Sequence, residues 1–74
     1  MDWKKIVGAN IRHFRKERGL TQEQLAHSAN LDLGYLGGIE RGEHNPTVAV
    51  LGCLAEALEI HPRGFFVDET SDQN

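Results

Sequence analysis

Two short helical segments follow one another almost without a break, and this arrangement limits the fold more than any other feature of the chain. The first, TQEQLAHSAN at residues 21–30, starts with Thr21 and carries a glutamine three positions later, the pattern of a capping box. The second, DLGYLGGIERG at residues 32–42, starts with Asp32, a favoured N-cap residue. Two helices joined by so few residues must cross steeply, so the sequence predicts a helix-turn-helix over about residues 21–41.

A longer helix is expected before this pair. Val7, Ile11 and Phe14 recur at the four- and three-residue spacing of one helical face, so the helix should run from about residue 3 to residue 18. Gly19 should end it. The inward faces of the helix pair should be formed by Leu25, Ala26, Ala29, Leu36 and Ile39, with help from Tyr35.

Two further helices are expected after the pair. Thr47 is a good N-cap for the first of them, and His61 with Pro62 should begin a second, shorter one. The sequence therefore predicts an all-α, compact five-helix domain at residues 1–67, with no further domain. An acidic tail at residues 68–74 is expected to be disordered. The fourth helix should bury Val50, Leu51, Leu54, Ala55 and Leu58.

Length and composition restrict the class of protein. A chain of 74 residues, of which 39% are hydrophobic, can bury one small core. Its single cysteine, Cys53, excludes an internal disulfide and a cysteine-based zinc site. The N-terminus lacks the apolar run and cleavage site of a signal peptide, and no segment approaches the roughly 18 apolar residues that cross a bilayer. These features favour a cytoplasmic protein without a membrane partner.

Charge is distributed unevenly along the chain. Residues 1–30 carry six Lys or Arg and three Asp or Glu, whereas residues 31–74 carry two and eight, within a net charge of −3. Such asymmetry predicts one basic and one acidic region, and hence an oriented electrostatic surface. The alternative is a mixed-charge surface that only keeps the protein soluble.

Three stretches, in this order, resemble the phage-repressor and Cro-like (Xre) family of helix-turn-helix regulators: VGANIRHFRKERGLTQEQLAHSANL, YLGGIERGEHNPTV and LAEALEIHPRGFF. Each stretch is a weak signal alone, but together and correctly spaced they are a strong one, covering residues 7–66. The resemblance implies a DNA-binding transcriptional regulator. Within the family, YLGGIERG followed by NPT is similar to small regulators that include controllers of restriction–modification systems.

The resemblance also implies roles for residues of the helix pair. In this family the second helix of the pair enters the major groove, and the N-terminus of the first points at a phosphate. Gln22 would bond that phosphate beside the capping residue Thr21, although an ordinary exposed glutamine is the alternative. Arg15 and Glu40 match an ion pair that joins the preceding helix to the end of the recognition helix, where such a pair fixes geometry more than it adds stability.

Further DNA contacts are implied after the recognition helix. Arg41 matches a backbone-contacting position of the family, and so do His44 and Asn45 in the following loop. Contacts of this kind set register and affinity without reading bases. For Arg41 the alternative is a solvated surface charge.

The helix face that should read base edges carries almost no polar side chain, which departs from the family's pattern. Direct readout needs donors and acceptors that match the bases. Leu33 can touch a thymine methyl and glycine offers only close approach of the backbone, while Asp32 serves more readily as a cap than as a partner for cytosine. The groove-facing positions implied by the resemblance are Asp32, Leu33, Gly34, Gly37 and Gly38.

Two functional hypotheses remain open. In the first, the protein is a sequence-specific transcriptional regulator, a dimeric repressor or restriction–modification-type controller. It would take its specificity from DNA shape, Arg41 and the half-site spacing of a two-fold symmetric operator in double-stranded DNA. In the second, it is an antitoxin-like or adaptor module that binds a protein partner and binds DNA weakly or not at all.

Dimerisation is expected because a small domain that binds a palindromic site usually pairs with a second copy. By resemblance, the C-terminal helices form the interface. One of the two adjacent phenylalanines is expected to close the core instead. The candidates for the oligomer surface are Trp3, Cys53, Phe65, Phe66 and Val67.

The sequence contains no pattern of a metal site or of a catalytic centre. Of the four histidines, none forms a close His-x-x-x-His pair, and each has a simpler role: surface for His13 and His27, loop for His44 and cap for His61. There is no nucleophile–base pattern, and the glycines of LGYLGG lie inside a helix rather than after a strand. We expect a non-enzymatic protein without a metal or cofactor.

Overall fold

The computed structural model describes residues 1–68, which contain four α-helices followed by one 3₁₀ helix. None of these helices has the length and apolar character that crossing a bilayer requires. Positions 69–74 of the predicted acidic tail lie outside the described residues. The helices are α1 (Trp3–Glu17), α2 (Gln22–Ala29), α3 (Leu33–Glu40), α4 (Val48–Leu58) and the 3₁₀ helix (Pro62–Phe66).

Each helix of residues 1–68 begins after a capping residue, whose side chain accepts a hydrogen bond from a backbone N–H of the first turn. Those predicted from the sequence are Thr21, Asp32, Thr47 and His61. At α2 the capping box is complete, because Thr21 Oγ1 accepts from the N–H of Gln24 at 3.1 Å and Gln24 Oε1 accepts from the N–H of Thr21 at 2.9 Å. A cap of this kind stabilises a helix by about 1 kcal/mol. The other caps are Asp2, Asp32, Thr47 and His61.

The last predicted helix is a 3₁₀ helix and not a fifth α-helix. It is five residues long, and Gly64 N donates to His61 O at 3.0 Å, which is the three-residue bond of a 3₁₀ turn. Few bonds of the four-residue α-helical type can form in so short a segment, because the first four N–H groups of an α-helix have no partner within it. Over residues 1–68 the fold is all-α, as expected, with four α-helices rather than five.

The turn between α2 and α3 is short because Asn30 ends α2 in the left-handed conformation, with φ 57° and ψ 46°. Asparagine adopts this conformation more readily than most residues. Leu31 N then donates to Ala26 O at 2.8 Å, which satisfies a carbonyl at the end of α2. The chain therefore reverses at once and reaches Asp32, the cap of α3.

One apolar core lies between the helices of the described chain. α1 packs against α3 and the 3₁₀ helix, and α2 packs against α3 and α4. Phe14, Tyr35 and Val50, which the sequence places on inward faces, are half-buried at the edge of this core. The buried side chains are Val7, Ile11, Leu25, Ala26, Ala29, Leu36, Ile39, Leu51, Leu54, Ala55, Leu58 and Phe65.

Gly8 lies where α1 and α3 come closest. A Cβ atom at this position would lie 2.2 Å from the carbonyl oxygen of Ile39 and 3.0 Å from that of Glu40. Only hydrogen fits there unless the two helices separate. The glycine that weakens α1 locally is what allows α3 to approach it.

The end of the described chain is bound to α1 through Asn10. Its Nδ2 donates to the carbonyl oxygens of Phe65 and Val67, both at 2.8 Å. Phe65 is fully buried, and its ring centroid lies 6.3 Å from that of Phe14. Phe65 therefore closes the core. Because it has no exposed surface, it is removed from the candidates for a dimer contact.

Candidate nucleic-acid interface

A buried polar network joins α1, α2 and α3 behind the candidate interface. Arg15 donates from Nε to Glu40 Oε2 at 2.7 Å and from Nη2 to Glu40 Oε1 at 3.0 Å, and its Nη1 donates to Leu20 O at 2.9 Å. Gln22 Nε2 donates to the same Glu40 oxygen, Oε1, at 3.0 Å. Arg15 and Glu40 are each only 8% exposed. The expected ion pair is thus present, and Glu40 also holds the first residue of α2.

Gln22 and Thr21 lie at the N-terminus of α2, where free backbone N–H groups favour an anion. The Thr21 hydroxyl is occupied by the cap, and the Gln22 amide nitrogen is occupied by Glu40. The side-chain amide oxygen of Gln22, Oε1, lies 3.7 Å from the place that a Cβ of Gly37 would take. A phosphate contact by Gln22 stays a prediction, and the structure places its amide between α2 and α3.

The outward face of α3 is less bare than its glycines suggest. A Cβ at Gly37 would lie 3.1 Å from Arg41 Nη1, close to the Gln22 amide. A Cβ at Gly38 would lie 2.3 Å and 2.5 Å from the His44 ring atoms Cδ2 and Nε2. Both glycines are buried. In the free protein, side chains from α2, the end of α3 and the loop cover their backbone, and contact of these two glycines with DNA stays a prediction.

The His44 ring, which belongs to the loop after α3, lies across that helix. Its centroid is 5.2 Å from that of Tyr35, at an interplanar angle of 40°. With Gly38 beneath it, the ring occupies the space in which a side chain at position 38 would stand. Sequence reasoning placed His44 near DNA but missed this contact, since no spacing pattern links a glycine to a loop residue that folds back over it.

Arg41 is paired with an acidic residue that sequence reasoning missed. Its Nε donates to Glu43 Oε2 at 2.9 Å, and its Nη2 donates to Glu43 Oε1 at 3.1 Å. The hydrogen bond from Arg41 lowers the pKa of the Glu43 carboxyl, and the same bond raises the pKa of Arg41. The side chains stay 60% and 56% exposed, so the pair lies at the surface.

The remaining candidate residues divide between this face and other positions. Leu33, which is 43% exposed, and Gly34 lie one turn before the two buried glycines and so extend the same face of α3. Asp32 accepts from the N–H of Tyr35 at 3.1 Å and acts as the cap. Asn45 lies apart from these residues and lines a cavity with Trp3 and Lys4.

Lys5 is a basic residue beside the turn that follows α3, and sequence reasoning did not single it out. Gly42 turns the chain after α3 with φ 78°, and a Cβ there would lie 2.6 Å from Lys5 Cγ. The Lys5 side chain therefore passes beside the loop that follows Arg41. A helical pattern alone could not find it, because the contact depends on where the loop returns to α1.

An exposed apolar surface lies away from α3, at the start of α1 and α4. Trp3, Val48 and Phe66 line one cavity of about 240 Å³, and they are 49%, 86% and 44% exposed. The ring centroids of Trp3 and Phe66 are 6.3 Å apart. Val67 is 48% exposed. Cys53 is exposed too, but it lies on a different cleft, with Ser28 and Asn30.

The histidines have the kinds of position expected for them. His13 is exposed and lies 3.4 Å from the Glu17 carboxylate one turn later, while His61 accepts from the N–H of Arg63 as a cap. His27 is exposed on α2. Within residues 1–68, no three side chains of His, Cys, Asp or Glu gather into a group that could hold a metal ion.

The chain matches known regulators over most of its length. The family model described as helix-turn-helix matches residues 11–65. An uncharacterised HTH-type transcriptional regulator, y4dJ of Sinorhizobium fredii, is 45% identical over 60 residues, which are 81% of this chain and 78% of that protein. The immunity repressor protein of Bacillus phage phi105 is 47% identical over 64 residues, which are 86% of this chain but only 44% of the repressor.

A solved structure has the same fold and a related sequence. The restriction-modification controller protein C.AhdI from Aeromonas hydrophila superposes with a TM-score of 0.83 at 41% identity, over 85% of this chain and 96% of that one. The likeness therefore extends beyond the fold to the sequence that builds it. The chain belongs to the helix-turn-helix family of phage-repressor and Cro-like (Xre) regulators.

Proposed function

We propose that the chain is a non-enzymatic, sequence-specific DNA-binding transcriptional regulator that acts in the cytoplasm as a repressor or restriction–modification-type controller. One observation carries the proposal. The N-terminus of α2, the outward face of α3 and Arg41 meet around Gly37, where the Gln22 amide and the Arg41 guanidinium both approach the same glycine. Groups that suit phosphates thus flank the helix that would enter the major groove.

In this proposal, phosphate contacts come from both sides of α3. Gln22 and the free N–H groups at the start of α2 bind one phosphate, and Arg41 binds another. Lys5 adds positive charge beside the loop. These contacts set the depth and register of α3 in the groove without reading bases.

Sequence readout in this proposal comes from few side chains. Leu33 meets a thymine methyl, and the His44 ring offers a nitrogen to a base edge from its position over Gly38. DNA shape supplies the rest of the specificity. A reading surface shared by helix and loop accounts for a recognition helix that has almost no polar residue of its own.

The proposed active form is a homodimer of the domain at residues 1–67 on a two-fold symmetric operator. The apolar surface of Trp3, Val48 and Phe66, extended by Val67, is the proposed interface with the second copy. No residue of α3 lines this cavity, so both recognition helices would stay free, whereas Asn45 of the following loop would lie at the dimer interface. A dimer would then set the half-site spacing of the operator, as in other helix-turn-helix regulators.

Selection of preferred duplexes from random DNA tests the function. We expect a two-fold symmetric consensus, and a plot of log affinity against log salt with a slope of about −0.9 per phosphate neutralised. Arg41→Gln should reduce the magnitude of that slope by about 1. No binding at low salt, or binding without sequence preference, would overturn the proposal.

The acidic half of the chain favours a second candidate function. Residues 31–74 carry eight Asp or Glu against two Arg, and Glu43 lies beside the proposed phosphate arginine. An antitoxin-like or adaptor module that binds a basic protein partner would use such a surface directly. Loss of DNA binding together with capture of one basic partner at a defined ratio would favour this candidate.

A further inference from the structure

Glu43 occupies the part of Arg41 that a DNA phosphate would need. Two nitrogens of the guanidinium, Nε and Nη2, donate to the two carboxylate oxygens of Glu43 at 2.9 Å and 3.1 Å. A phosphate presents the same paired oxygens to an arginine fork. The third nitrogen, Nη1, faces Gly37. In the free protein, therefore, the fork of Arg41 is already filled by an anion.

We propose that Glu43 is an internal competitor for DNA, whose carboxylate a backbone phosphate replaces at Arg41 when the protein binds. The inference rests on the proposed function, because it needs Arg41 to contact DNA. No bond is made or broken in this exchange other than hydrogen bonds and an ion pair. Glu43 thereby lowers the affinity of the free protein for every duplex and sets how strong the other contacts must be.

The exposure of the pair makes the exchange possible. Both side chains are more than half exposed, so each can leave the other and be rehydrated at small cost. This differs from Arg15 and Glu40, which form a buried pair that cannot open without leaving a buried charge uncompensated. Arg41 and Glu43 are also two residues apart, so Glu43 cannot move far from the DNA once it is displaced. It then repels the neighbouring phosphates.

A second role for Glu43 would give the opposite result. If its carboxylate holds Arg41 in the direction of the DNA, removing it would weaken binding, because Arg41 would lose its orientation. A third possibility is that Glu43 only adds general repulsion, in which case its effect would not depend on Arg41. These three roles are separable because they predict a different sign or a different dependence on Arg41.

The experiment is a double-mutant cycle with Glu43→Gln and Arg41→Gln, measured by fluorescence anisotropy on a duplex of mixed sequence at about 0.15 M salt, where distant charges are screened. Glu43→Gln keeps the size of the side chain and removes its charge. The matched control is Glu56→Gln, which makes the same charge change at an exposed position on α4. Circular dichroism of each variant checks that it is folded.

We expect Glu43→Gln to tighten binding about threefold, and Glu56→Gln to change it less than about 1.5-fold. In the Arg41→Gln background, the effect of Glu43→Gln should fall to the level of the control. Weaker or unchanged binding by Glu43→Gln overturns the inference, as does an equal gain with and without Arg41. If the parent protein itself binds no duplex at low salt, the proposed function fails and the inference fails with it.

Discussion

Gly8 controls how closely α1 and α3 approach, and it gives a direct test of the packing. Gly8→Ala adds a methyl group that would lie 2.2 Å from a backbone oxygen of α3. We expect the free energy of unfolding to fall by about 2 kcal/mol, even though alanine is the better helix former. Urea unfolding of the variant and parent measures this difference.

Gly52 supplies the matched control within α4. A Cβ at this position would meet no heavy atom within 4 Å. Gly52→Ala should therefore raise the free energy of unfolding by up to about 1 kcal/mol, through helix propensity alone. Equal effects of the two substitutions would contradict the close approach at Gly8.

Gly38 and His44 form a pair whose separation should alter DNA recognition without unfolding the protein. Gly38→Ala puts a methyl group where the exposed His44 ring lies, so the ring must move. Because that ring can move into solvent, we expect the stability to stay the same or rise. Affinity for a selected operator should fall at least about fivefold, as it should in His44→Ala. Selection of the parent's consensus by both variants would exclude His44 as a base-reading residue.

At the scale of the elements, the network around Glu40 couples three helices. Arg15→Met leaves the Glu40 carboxylate, whose side chain is 2% exposed, without its cation. We expect a loss of about 3 kcal/mol in the free energy of unfolding. Replacing both residues, as Arg15→Met with Glu40→Leu, should recover most of that stability, because the two charges are removed together.

Measuring DNA affinity in the same variants should distinguish the effect of the network on stability from its effect on the position of Gln22. In the double variant, Gln22 loses its hydrogen-bond partner in α3. We therefore expect the affinity to remain below that of the parent even where stability has recovered. Unchanged stability and unchanged affinity in Arg15→Met would contradict a structural role for the network.

The helices could be predicted from the sequence because their ends are set by residues that are close together in the chain. The caps at Thr21 and Asp32 act on backbone groups three positions away, so a local pattern is enough to find them. The 3₁₀ helix was the exception, because Pro62 and a short segment suit either helix type. The side-chain contacts that fix the end of the chain and complete the candidate interface were out of reach. Asn10 bonds residues that lie 55 and 57 positions further along the chain. The pairing of Glu43 with Arg41 depends on the rotamers of both side chains, which a sequence pattern does not give.

For the whole molecule, the proposed dimer depends on a surface that is separate from the core. Phe66→Asp puts a charge on the exposed apolar surface, where the parent side chain is 44% exposed. We expect a folded monomer, and sedimentation velocity at tens of micromolar should distinguish it from a dimeric parent. Cys53→Ser, which changes an exposed residue on another cleft, is the control and should leave the dimer intact.

The neighbouring Phe65 is a useful comparison for Phe66, because it belongs to the core and not to the proposed interface. Because Phe65 is fully buried, Phe65→Ala should lower the free energy of unfolding by about 3 to 5 kcal/mol. Phe66→Asp should leave it nearly unchanged. A monomeric parent at the same concentration would contradict the proposed interface.

The ring that stands over Gly38 has a consequence for how such a protein can diversify. In most recognition helices, a residue that meets DNA also belongs to the helix, so changing it risks the packing behind it. Here His44 comes from a loop, and neither it nor Glu43 contributes to the buried core. Under the proposed function, mutations at positions 43 and 44 would therefore alter target choice while the caps and core stay as they are. Related proteins with this fold would then acquire new operators through mutations in one loop. The intermediate sequences would still fold, so few of them would be removed by selection.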